Sequence, residues 1–318
     1  MKKELGIFVL LVVLCVVVSI KNPDFLQAVN LQNMARRIGM YGIYSIGLGV
    51  VIITSGIDLS VGSVFALQGI VMSIMLENWG WPWYLATPLI VVGVMALGWL
   101  HGVMVARVGM QPFIVTLCGL LIYRGVARFI SGDRALGIGA GEYGVLKALA
   151  QAKPLGVPMP FVILIVVTAV MWVLLHRSVY GRYLFAVGKN EDAARFSGIN
   201  TRRVIASAYV LCMALTAISG IIFVFDTGSI QGSNFGNFYE LYGIAAAVLG
   251  GCSLRGGEGS VIGIVIGTAL LQVLQNLVNL LGIDSSLNFA VMGTVIFVGV
   301  LADQILTQRR AAKQSVAH

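Results

Sequence analysis

Residues 161–175 read FVILIVVTAVMWVLL, apolar at almost every position. Runs of this kind recur from one end of the chain to the other, and they set the terms for everything else. About 20 such residues in a helix cross the roughly 30 Å of a bilayer's hydrocarbon. Barrel strands would instead alternate apolar and polar residues over about ten positions, and these runs do not alternate. Helices are then the only way to satisfy the backbone within lipid. Of 318 residues, 58% are hydrophobic and only 11% are charged, against roughly 25% charged in an average soluble domain. The sequence predicts an all-α, polytopic membrane bundle forming a single domain, 1–318.

Walking the chain predicts spans at 5–20, 36–54, 64–76, 84–106, 111–130, 161–175, 205–225, 241–252, 260–281 and 288–306. That makes about ten spans. The third and eighth are short for a full crossing and are expected to be broken or tilted. Lys2 and Lys3 before the first run resemble a signal peptide, but 21–24 offers no small-residue cleavage site, so the run reads as a retained span. Basic residues hold loops on the cytoplasmic side. Lys2, Lys3, Arg107, Arg255, Arg309, Arg310 and Lys313 then place both termini in the cytoplasm. The same rule accounts for the formal net charge of +8 without nucleic acid. Arg36, Arg37, Arg124 and Arg128 fit the rule less well. They lie near the outer ends of the second and fifth spans, where they are expected to snorkel or to face protein. Asp226, at the outer end of the seventh span, is expected at the surface.

The densest basic cluster is the island 176–204, HRSVYGRYLFAVGKNEDAARFSGINTRRV. A short helix is written inside it. Asn190 is an N-cap residue, since its side-chain oxygen can accept from an amide that the first turn leaves unpaired. Glu191 and Asp192 sit at the positive end of the helix dipole and Arg195 toward the negative end. Gly198 supplies a left-handed stop, and Asn200 or Thr201 can cap the helix that follows. A capped, solvent-facing helix between two spans is a handle that something outside the membrane can grip.

Other motifs exclude more than they assign. Gly188-Lys189 lacks the flanking residues of a phosphate loop, and the GxGxxG match at 139–144 opens no βαβ unit. No nucleophile–base set points to catalysis. His101, His176 and His318 are scattered, with no paired acid in sequence; His101 reads as a helix-end residue near the inner surface. The four cysteines stand alone in apolar runs and predict neither metal nor disulfide. Gln272, Gln275, Asn276 and Asn279 fall at i, i+3, i+4 and i+7 and so share one helix face. They serve either as interhelical glue or as a polar lining for a hydroxyl-rich solute. Asp58, in the small-residue break SGIDLSVGS with Ser60, is expected to cap the helix starting near Val61, with direct solute contact as the alternative. An ion-driven secondary transporter would need an acid deep in the membrane, and the runs offer almost none.

Several stretches together resemble a known family. They are TSGIDLSVGS (54–63), GRYLFAVGKNEDAARFSGIN (181–200), IAAAVLGGCSLRGGEGSVIG (244–263), LLIYRG (120–125) and LQNLVNLLG (274–282). The chain resembles the permease subunits of bacterial ABC importers for ribose, xylose, arabinose and related sugars. That resemblance implies a multi-pass inner-membrane protein that pairs with a second copy or a paralogue. It implies a cytoplasmic ABC ATPase, which binds the ATP, and a periplasmic sugar-binding protein as partners, with no cofactor in this chain. It also implies that 176–204 is the ATPase-coupling loop, with Gly188, Asn190, Glu191, Ala193, Ala194, Arg195, Ser197 and Gly198 on the shared pattern. Arg255, Glu258, Arg36, Arg37 and Asp226 depart from that pattern and leave the particular sugar open.

Overall fold

A computed structural model describes residues 2–138, 141 and 143–282, with isolated positions between 287 and 297. The expected tenth span, the basic tail and part of the glycine-rich stretch lie outside the described residues. Twelve α-helices run through the described chain: α1 (Lys2–Lys21), α2 (Ala28–Ile53), α3 (Val61–Ser73), α4 (Trp83–Val103), α5 (Pro112–Ser131), α6 (Gly144–Gln151), α7 (Met159–His176), α8 (Val179–Lys189), α9 (Glu191–Phe196), α10 (Thr201–Thr227), α11 (Tyr239–Leu249) and α12 (Val261–Leu280). Short π-helical turns, Ile74–Asn78 and Met104–Val108, extend α3 and α4. Among the described residues, eight helices are long and apolar enough to cross a membrane, and α11 is a shorter apolar helix.

The two central helices are α2 and α10, both largely buried, while α1 is almost wholly exposed and lies on the rim. Close approach explains the glycines of α4. A Cβ on Gly98 would come within 2.6 Å of the Tyr209 carbonyl oxygen, and one on Gly102 within 2.5 Å of the Ala206 Cα. Two backbones thus meet with no side chain between them, which is how helices pack where lipid removes the hydrophobic drive. At the rim, α1 lies along α12 and is tied at both ends. Ser260 donates to Glu4, and the Asn22 side chain donates to the Leu280 carbonyl at 3.1 Å.

The structure corrects the sequence reading in several places. The island holds an additional helix, α8, ahead of the short one. The stretch 131–160, between α5 and α7, carries α6 and a strand β1 (Ala135–Gly137) that pairs antiparallel with β2 (Ser229–Gln231), Ala135 opposite Gln231. Asp226, expected at the surface, is only 17% exposed, while Arg36 takes the second of its expected courses and faces protein: its Nη1 donates to Asp226 Oδ1 at 2.9 Å, so α2 and α10 are pinned. Arg124 likewise faces protein, as one of its two expected courses had it, and donates to the carbonyls of Gly232 at 3.0 Å, Phe235 at 2.7 Å and Gly62 at 3.2 Å.

Candidate functional site

The site is built from the island upward. Ser178 Oγ accepts from Gly181 N at 3.1 Å and starts α8. Gly181, Leu184, Val187 and Gly188 bury one face of that helix, while Arg182 and Tyr183 stay outside. Asn190, extended at φ −163° and ψ 105°, bends the chain and accepts from Ala193 N at 2.9 Å, starting α9. Gly198, at φ 83°, ends it, and Asn200 accepts from Arg203 N at 3.1 Å to start α10. Of α9 only Ala194 is buried; Glu191, Asp192, Ala193 and Arg195 are exposed, as are Ser197 and Gly198, and Phe196 is 86% exposed. Asp192 and Arg195 form an exposed ion pair at 2.7 Å, of a kind worth roughly 0–1 kcal/mol. The capping, not the pair, makes α9 a defined rod.

Gly188 sits where α8 meets the break between α2 and α3. Ser55, itself left-handed at φ 64°, places its Oγ 3.1 Å from the Gly188 carbonyl and 3.0 Å from the Arg255 carbonyl, so the two oxygens share one proton. Gly257 N donates to the Ile53 carbonyl at 2.8 Å. A Cβ on Gly188 would lie 1.7 Å from that same Ile53 oxygen, and one on Gly256 2.0 Å from Ser55 Oγ. The end of α2, the end of α8 and the turn before α12 are therefore packed backbone to backbone. Those are the segments 54–63, 181–200 and 244–263, far apart in sequence and joined here.

Just past this junction the break turns inward to Asp58, which is fully buried. Its Oδ1 accepts from Ser60 N at 2.9 Å and Ser60 Oγ at 2.7 Å. The expected cap is thus corrected: Asp58 closes the turn before α3, while Ser60 occupies the cap position without a side-chain cap bond. Asp58 Oδ2 lies 3.6 Å from His101 Nδ1, and His101 Nε2 lies 2.8 Å from the Tyr123 hydroxyl. Tyr209 donates to the neighbouring Ile57 carbonyl at 3.3 Å. His101 is therefore no surface residue and does have an acid beside it. The crossing of α4 over the break brings them together, and nothing in the local sequence signals it.

The polar stripe of α12 spreads over different surroundings. Gln272 is buried, Gln275 and Asn276 are half-buried, and Asn279 is exposed. Asn276 exchanges amide hydrogen bonds with Asn30 of α2 at 2.7 and 3.1 Å. Asn276 therefore ties helices together, whatever else it does. Among the described residues, no group of three or more His, Cys, Asp or Glu is placed to hold a metal.

A family model described as "Branched-chain amino acid transport system / permease component" matches residues 30–300. The chain belongs to that family. The match takes in the junction, α9 and the whole of α12, and begins after α1. Within curated proteins the chain is 37% identical over 303 residues to the ribose import permease protein RbsC of Bacillus subtilis, covering 95% of this chain and 93% of that one. It is 39% identical over 294 residues to the ribose import permease protein RbsC of Escherichia coli (strain K12), covering 92% and 91%. The fructose import permease protein FruF of Bifidobacterium longum also aligns with it over 92% of this chain and 84% of its own length. No solved structure matches it.

Proposed function

We propose that this chain is the membrane-spanning permease subunit of an ATP-binding cassette importer that moves a monosaccharide, a ribose-like pentose or a hexose, across the bacterial inner membrane. The single observation that carries this reading is the junction at Ser55, Gly188 and Gly257. A capped, exposed helix is fixed there to the break that starts α3. Gly188, Asn190, Glu191, Ala193, Ala194, Arg195, Ser197 and Gly198 form the coupling loop within 176–204. A cytoplasmic ATPase docks on it and binds the ATP, so the permease hydrolyses nothing and needs no cofactor. A periplasmic sugar-binding protein delivers the solute to the opposite face, and a second copy or a paralogue completes the passage within membrane lipid. Basic residues collect around the α8–α9 face, supporting its cytoplasmic position. Asp58, Ser60, Gln272, Gln275, Asn276 and Asn279 are assigned to the neighbourhood of the passage. The test is uptake of labelled ribose and fructose by vesicles holding the permease with its ATPase and binding protein. Uptake that fails without ATP and survives an uncoupler supports the proposal.

One observation favours a second reading, an ion-gradient-driven transporter. Asp58 and His101 form a buried acid–imidazole pair inside the bundle, the kind of group such a mechanism requires. Uptake that survives ATP depletion and collapses with an uncoupler would decide for it.

A further inference from the structure

Helices α7 and α12 meet along an apolar groove of about 410 Å³. Phe161, Leu164, Ile165 and Trp172 of α7 line it, with Ile262 and Val265 of α12. That volume lies within the roughly 300–1,000 Å³ of small-molecule sites. Both helices are long and apolar enough to cross a membrane, so what fills the groove is lipid or another membrane chain.

Two polar groups mark one end of it. The Arg177 guanidinium folds back over Trp172, 5.1 Å from the ring centroid, a cation resting on an aromatic face. Among the described residues no carboxylate pairs with it: the ion pairs there belong to Arg36, His101, Arg128 and Arg195. Glu4, the acid whose field reaches His176, is engaged by Ser260. Helix α8 begins at Val179, two residues on, so the positive end of its dipole adds to the charge of Arg177. One turn along α7 from Trp172, the Thr168 hydroxyl stands in the groove wall, buried and without a hydrogen-bond partner. Four residues are about 6 Å along a helix axis, so an unused hydroxyl follows the cation at about that distance.

The exposed face of α7 selects between the two occupants. Helix contacts within a membrane favour small residues that let backbones approach. Ile165, Val166, Val170 and Val173 are each more than half exposed on this face, and of its exposed residues only Ala169 is small. Bulky branched side chains suit acyl chains instead. We propose that the groove holds an acyl chain of an anionic phospholipid, with the phosphate on Arg177 and an ester carbonyl accepting from Thr168 Oγ1. The sequence of cation, hydroxyl and apolar groove repeats the lipid's own sequence of phosphate, ester and chain. Basic pockets between membrane helices take headgroups of this kind. With the α8–α9 side in the cytoplasm, as proposed above, the lipid comes from the inner leaflet; the binding itself does not depend on the transport reading.

The test uses the full chain, purified in a neutral detergent and stripped of lipid. Phosphatidylglycerol is expected to raise the thermal midpoint, because a ligand that binds the folded state stabilises it by mass action. Phosphatidylcholine with the same chains should raise it less, and inorganic phosphate not at all. Arg177→Gln should weaken phosphatidylglycerol about tenfold, or about 1.4 kcal/mol, while Arg182→Gln, at an exposed arginine of α8, keeps the parent affinity. Ala169→Phe fills the groove from an exposed position and should remove the shift. The proposal is overturned if the two lipids stabilise equally, or if Arg177→Gln responds to phosphatidylglycerol as the parent does. It is equally overturned if Ala169→Phe changes the oligomeric state and leaves the lipid response intact, since a second copy then covers the groove. Arg177 is exposed, so its variant decides the question even where Ala169→Phe lowers the lipid-free midpoint.

Discussion

Gly188→Ala probes the junction with the smallest possible change. The added methyl would stand 1.7 Å from the Ile53 carbonyl oxygen and 2.6 Å from Gly257 N. Ordinary contact begins at about 3.4 Å, so two backbones must part by about 1.7 Å. Neither neighbour is a side chain that can swing away. Overpacking of this kind costs about 1–3 kcal/mol, and losing the Gly257–Ile53 hydrogen bond adds about 1 kcal/mol. The total, about 2–4 kcal/mol, lowers the melting temperature without unfolding the bundle. Gly80→Ala is the matched control. Gly80 is left-handed at φ 65° with nothing within 4 Å of a new methyl, so the substitution costs about 1–2 kcal/mol of backbone strain alone. The assay is sugar moved per ATP hydrolysed in proteoliposomes. Gly188→Ala is expected to keep hydrolysis and lose most of the transport, while Gly80→Ala keeps the parent ratio. A Gly188→Ala protein that is destabilised as calculated yet transports at the parent ratio refutes the idea that motion passes through this contact.

Three further outcomes follow from the same geometry. Asp58→Ala strands the Ser60 amide and hydroxyl in a buried turn and should cost about 3 kcal/mol, whereas Asp58→Asn keeps the accepting oxygen and most of that stability; equal thermal midpoints for the two would refute the assignment. A double-mutant cycle on Asn30→Ala and Asn276→Ala should give a coupling of about 0.6 kcal/mol, with about 1.7 as the ceiling seen for bonds between membrane helices. The hydrogen bonds from Arg128 hold the Asp133 carboxyl below its ordinary range, so the pair's contribution is present above about pH 3.9 and is lost as pH falls through the folded value. Because the pair is exposed the effect is small, and a carbon-13 titration of Asp133 that shows an ordinary carboxylate midpoint would remove it altogether.

Local features were legible in the sequence, and long-range ones were not. Asn190, Gly198 and Asn200 announce their turns because capping is decided within three or four residues. The spans announced themselves by composition, although the structure begins α10 at Thr201, inside the island, since Asn200 caps it. The helix α8 was legible in principle: Gly181, Leu184 and Val187 recur at helical spacing. Exposed Arg182 and Lys189 break up that apolar pattern, so the helix blends into the basic island around it. By contrast, Asp58 and His101 meet only because α4 crosses the break, and Arg36 finds Asp226 across 190 residues. Arg124 is the clearest case. An arginine amid apolar residues reads as a flaw until its three carbonyl partners, on segments far away in sequence, are seen.

Those same long-range contacts say how force could travel under the proposed coupling. Moving a gate from nearly always shut to nearly always open takes about 5.5 kcal/mol of differential binding. The exposed Asp192–Arg195 pair is an order of magnitude too weak to deliver that. Backbone pressed against backbone is different, because a packed contact resists compression instead of stretching. From α9 the route runs through Gly188 to Ile53 and Ser55, then along the break to Asp58, whose turn fixes the start of α3. Gly62, in the first turn of α3, then abuts Gly236, between β2 and α11, with the Glu240 carboxylate beside it. Each step is either a direct contact or a few residues of continuous chain. Glycines stand at both crossings, and at Gly188 the nearest atoms to a new methyl are all backbone, so no side chain there absorbs the displacement. A coupling path made this way should fail abruptly when a methyl is added at Gly188 or Gly62, and hardly at all when an exposed charge on α9 is removed.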